Sequence, residues 1–66
     1  MRSMVSRAEL SSMSTALTEL AERITKSADA MLGGPDEGVA VDLYEVERSL
    51  RTARRRLEVA SDNLSA

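Results

Sequence analysis

The sequence predicts an all-α chain folded as an antiparallel two-helix hairpin (an αα-hairpin), coiled-coil-like in its packing and dimerising into a four-helix bundle. Three observations lead there. Leu43, Leu50, Leu57 and Leu64 recur every seven residues, and Val39, Val46, Ala53 and Ala60 recur every seven between them. This 3-4 spacing marks a helix that packs along one seam. A second stretch, from Leu10 to Met31, carries the same spacing. A single breaker cluster, Gly33-Gly34-Pro35-Asp36-Glu37-Gly38, separates the two. The expected layout is one domain over residues 1–66: helix 1 over about 7–32, a turn at 33–38, and helix 2 over about 36–63.

Size argues for partnership. Sixty-six residues make one small domain, and chains this short usually lean on disulfides, a metal or another chain for stability. Cysteine and histidine are both absent, which removes disulfides, thiolate metal sites and the commonest metal ligand. No cofactor or metal is expected. Phe and Trp are also missing, and Tyr44 is the lone aromatic residue. A core of Leu, Ile, Val, Met and Ala suits a helical bundle better than a compact globule. The net charge of -2 singles out no polyanionic partner. No apolar run approaches the roughly 20 residues that span a bilayer, so no membrane role is expected. Arg2 and Arg7 are not followed by the apolar stretch of a secretory signal. The cytoplasm is the expected compartment.

Helix 1 opens on Ser6-Arg7-Ala8-Glu9, an S-x-x-E capping box, with Val5 and Leu10 placed for a hydrophobic staple. Residues 1–5 either fray or extend it. Its seam reads Leu10, Met13, Leu17, Leu20, Ile24, Ser27 and Met31. In heptad letters Leu10, Leu17, Ile24 and Met31 take position a, and Met13, Leu20 and Ser27 take d. The flanking e and g positions hold Ala16, Ala21, Ala28 and Ala30, where charged residues are usual in a two-stranded coiled coil. Small residues there widen the apolar stripe, which makes these four alanines the expected oligomer interface. Glu19–Arg23 and Glu22–Lys26 are i,i+4 pairs in the favourable order. Ser11, Ser12, Ser14, Thr15 and Thr18 weaken the first turns, so this helix needs packing to form.

The turn follows from its residues. Gly33 suits a left-handed stop for helix 1. Pro35 fits the first turn of a new helix, with Asp36 and Glu37 well placed for its dipole. Helix 2 then starts either there, with Gly38 inside its first turns, or after Gly38, with Asp42-Leu43-Tyr44-Glu45 as a second capping box. The early start is favoured because Val39 already belongs to the periodic pattern. Nothing in this turn resembles a phosphate-binding loop.

Helix 2 carries the ladder: Val39, Leu43, Val46, Leu50, Ala53, Leu57, Ala60 and Leu64, with the leucines at a and the smaller series at d. Laid antiparallel, Ile24 faces Val46, Leu17 faces Ala53 and Leu10 faces Ala60. Large residues of helix 1 thus meet small ones of helix 2, as an αα-hairpin requires. One interface leaves the alanine flanks of helix 1 bare. A second hairpin packing face to face would cover them.

The outer face of helix 2 is basic. Arg48, Arg51, Arg54, Arg55 and Arg56 fall within nine residues. They suggest an anion or partner surface, although Glu47–Arg51 and Arg54–Glu58 are also spaced as ordinary helix-face pairs. Tyr44 lies one turn before Arg48 and is placed either to stack on it from the solvent side or to anchor a partner. The four methionines, Met1, Met4, Met13 and Met31, fit start residue, tail and core.

No catalytic residue emerges. Carboxylates are plentiful, but none sits on an apolar seam where burial would tune it. The expected function is a non-enzymatic protein-interaction or oligomerisation module. It would self-associate as a homodimer or join a helical protein partner, and no small-molecule substrate is evident. The alternative is a small regulator that binds nucleic acid or a nucleotide through the arginine face, though no aromatic platform or DNA-binding motif accompanies the arginines.

Overall fold

The computed structural model describes residues 5–64. Expectations that fall on Met1, Arg2, Met4, Ser65 and Ala66 lie outside those residues. Two helices make up the fold: α1, Arg7–Met31, and α2, Glu37–Asp62. They pack antiparallel along their length into a rod whose Cα atoms span 54 × 14 × 13 Å. Two cross-helix contacts set the register. Arg7 Nη2 donates to the Leu64 carbonyl at 3.4 Å near the open end. Tyr44 Oη meets Asp29 Oδ1 at 2.5 Å near the turn.

Local chemistry explains the helix ends. Ser6 is extended (φ -99, ψ 161), and its hydroxyl accepts from the Glu9 N–H at 3.1 Å, which satisfies one of the donors orphaned at the start of a helix. At the other end Leu32 leaves the helix with its N–H still donating to the Asp29 carbonyl at 3.3 Å. Gly33 then turns at φ +77, a conformation that costs glycine nothing and side-chain-bearing residues about 1–2 kcal/mol. α2 begins at Glu37 behind Asp36, whose carbonyl accepts from Val39 and Ala40. Gly38 therefore sits within the first turn, and Asp42 lies inside the helix.

The hairpin does not close along the a/d seam that the spacing suggests. The residues at a are half-buried: Leu10, Leu17, Ile24 and Met31 on α1, and Leu43, Leu50, Leu57 and Leu64 on α2. Their companions toward the partner helix come from position e. Ala21 and Ala28 of α1 and Ala40 of α2 are fully buried, and Ser14, Glu47, Arg54 and Ser61 are half-buried in the same series. The d residues Met13, Leu20, Val39 and Val46 remain 50%, 40%, 46% and 44% exposed, and Ser27, Ala53 and Ala60 are exposed as well. Each helix is thus turned about 50° from the a/d orientation, taking 3.6 residues per turn. The physical reason is the size of the alanines. Ala21 and Ala28 let α2 approach closely, so they close the hairpin rather than waiting for a second molecule. Of the four alanines expected at an oligomer interface, only Ala16 and Ala30 are exposed.

This packing leaves a thin core. Its buried apolar residues are the three alanines Ala21, Ala28 and Ala40, and no larger side chain is fully buried among the described residues.

Candidate functional site: two unlike faces

Because both helices turn the same way, the hairpin has two broad faces of different chemistry. A rotation that takes d away from the seam of α1 takes it toward the same side on antiparallel α2. One face therefore gathers the d residues of both helices. It carries Met13 and Leu20 from α1 and Val39, Val46, Ala53 and Ala60 from α2, flanking the half-buried leucines. A shallow depression on this face is lined by Leu20, Arg23, Ile24, Ser27 and Leu43.

The opposite face is polar. Its groove, of about 400 Å³, is lined by Ser11, Ser14, Thr15 and Thr18 of α1 and by Arg54, Glu58 and Ser61 of α2, with Glu19 and Asp62 at its margins. Sequence reasoning missed this groove by reading the serines and threonines only as weak helix formers. The available signal was their position: Ser14 occupies e and Thr18 follows a, so both must face α2 once the alanines set the seam. Thr18 Oγ1 donates back to the Ser14 carbonyl at 3.2 Å. Glu58 pairs with the one guanidinium in the groove, that of Arg54, and Glu19 and Asp62 also line it, so the groove does not concentrate positive charge for an anion.

The five arginines are not one free stripe. Arg51 binds the Glu47 carboxylate, and Arg54 binds Glu58 at 3.0 Å. These two acid–base pairs partner the half-buried e residues Glu47 and Arg54 beside the seam. Arg54 Nε is nonetheless shut off from solvent with no hydrogen-bond partner. Arg48 lies 3.9 Å from Glu45, a loose and exposed pair. Arg55 donates to Thr52 Oγ1 at 3.4 Å. Arg56, at the g margin of the apolar face, makes no ion pair among the described residues. The ion pairs Glu19–Arg23 and Glu22–Lys26 are likewise not formed among the described residues.

Tyr44 of α2 reaches across to α1 and donates its hydroxyl to Asp29. That bond to a carboxylate raises the phenol's pKa above the usual 10.0, with smaller contributions from desolvation and the nearby negative charge.

No helix among the described residues is long and apolar enough to cross a membrane. No protein-family model matches the chain, and neither a curated protein nor a solved structure matches it. The functional reading therefore rests on the geometry of the two faces.

Proposed function

We propose that the hairpin is a non-enzymatic interaction module whose working surface is the apolar face formed by the d residues. The observation that carries this reading is the mismatch between core and surface. The core holds only alanines, while Met13, Leu20, Val39 and Val46 stand 40–50% exposed along one side. Burying a Leu- or Met-sized side chain is worth roughly 1.5–3 kcal/mol, and domains of this size are stable by only a few kcal/mol. Covering that face decides whether the chain is well folded. Contiguous exposed apolar surface rimmed by polar residues marks a protein contact, and here the rim includes Arg23, Asp42 and Arg56.

The nucleic-acid or nucleotide reading draws less support. Arg51 and Arg54 already hold carboxylates, and phosphate contacts need arginines free to release counterions. One experiment separates the two readings: sedimentation of the parent chain, Leu20→Glu, Val46→Glu and Arg48→Glu. The module reading expects any association of the parent to persist in Arg48→Glu and to weaken at least tenfold in the two apolar-face variants. It also expects little loss of association between low and moderate salt. A parent chain that sediments as a fully helical monomer at every concentration would refute it.

A further inference from the structure

The interaction reading leaves open what covers the apolar face, and three observations point to one occupant. Resting on that reading, we infer that the occupant is a second copy of this chain, docked face to face with the two turns at opposite ends. Its two-fold axis passes beside Leu20 and Ala53.

The first observation is area. The chain exposes 5110 Å², whereas a compact folded protein of 7.2 kDa exposes about 4,100 Å². The excess of about 1,000 Å² is close to the roughly 800 Å² per partner that a standard stable interface buries. The face is also the right size. A 25-residue helix is about 38 Å long, and two helices side by side are about 20 Å wide, giving about 750 Å². A partner of this shape and size covers the face fully, and a second hairpin is one.

The second observation is relief. The contacts Arg7–Leu64 and Asp29–Tyr44 put Leu20 level with the middle of α2, near Ala53. The bulky d residues therefore form a diagonal ridge: Met13 and Leu20 on α1 toward the open end, then Val46 and Val39 on α2 toward the turn. Small residues fill the other diagonal, with Ala53 and Ala60 beside Leu20 and Met13, and Ser27 beside Val46. A surface with one raised and one lowered diagonal is self-complementary under a two-fold rotation. Two rotations satisfy it, one keeping both turns at the same end and one reversing the second hairpin. Both make every neighbouring helix pair antiparallel.

Charge distinguishes the two rotations. The turn end holds Asp29, Asp36, Glu37 and Asp42 with only Lys26 to offset them. The open end holds Arg7 against Glu9, Glu58 and Asp62, while Arg54, Arg55 and Arg56 lie near the middle of the rod, level with Glu19. Placing the turns together stacks like charge within about a Debye length. Reversing one hairpin moves the two acidic turns to opposite ends of the bundle, beyond that range. Arg56, without an ion-pair partner among the described residues, then lies toward the acidic turn half of the other copy.

The chain has no cysteine, so single-cysteine variants test this cleanly. Asp36→Cys, at a cap that makes no side-chain hydrogen bond, carries a nitroxide label. The reversed dimer places the two labels about 45 Å apart at 1.5 Å per residue along the bundle. Turns at one end would hold them within about 25 Å across a bundle of 8–10 Å spacings. Leu20→Cys should also self-cross-link on oxidation, because Leu20 flanks the axis. A helical dimer with the long distance and the Leu20→Cys cross-link supports the inference. A dimer with the short distance overturns the docking mode. A chain that stays monomeric and poorly helical at high concentration overturns the second copy as occupant but leaves the interaction reading standing. A stably helical monomer overturns both.

Discussion

Ala28 and Tyr44 show how much single side chains decide in a fold this thin. Ala28 is fully buried beneath α2, and the helices approach closely because nothing extends beyond its Cβ. Replacing it with leucine overfills a closed seam, which typically costs about 1–3 kcal/mol. Ala28→Leu should lower the urea midpoint by a matching amount, whereas Ala30→Leu, at an exposed position, should shift it little. Tyr44 acts by charge state instead. Its phenol pKa is raised in the folded chain by the Asp29 carboxylate that it donates to. The neutral phenol therefore contributes stability that is fully present below pH 10 and lost as pH rises through the raised value. Tyr44→Phe should be less stable than the parent at neutral pH, and the difference should close in the alkaline range. Tyr44 is the only tyrosine, so phenolate absorbance reports its titration directly.

At the scale of the helix, two of the three glycines of the turn region predict opposite outcomes. An added Cβ meets nothing within 4 Å at either Gly33 or Gly38. Gly33, however, has φ +77, so Gly33→Ala should destabilise by about 1–2 kcal/mol through backbone strain alone. Gly38 lies within the first turn of α2, so Gly38→Ala should stabilise by up to about 1 kcal/mol. Thermal melts of the two variants test both signs. The sequence spelled out much at this scale. The capping serine, the breaker cluster and the sevenfold leucines each report local physics, and they locate Ser6, Gly33 and the half-buried a positions. The choice between a/d and a/e was not legible, because both are seven-residue series flanking the same leucines. Spacing cannot separate them; side-chain volume can. Read for volume, Ala21, Ala28 and Ala40 at e, set against Met13, Leu20 and Val46 at d, would have shown which series lets two backbones meet closely. The link from Tyr44 to Asp29 was hidden for a related reason, since it depends on that rotation and on the register between the helices.

For the whole molecule, the hairpin has one polar side and one apolar side, and the polar side is largely self-contained. Arg51 with Glu47, Arg54 with Glu58, and Tyr44 with Asp29 pair with one another. The apolar side has no such closure among the described residues. The alanine core then has a consequence for how long the chain survives. Closing two helices over three small side chains gives little resistance to opening, so the lone hairpin exposes cleavable backbone often, and proteolysis follows the open population when reclosing is fast. Anything that covers the apolar face draws that population down by mass action. Half-life under a trace of protease should therefore lengthen as total chain concentration rises, and Leu20→Glu should flatten that dependence. On the self-association proposed above, such a chain would be cleared when scarce and would persist when abundant.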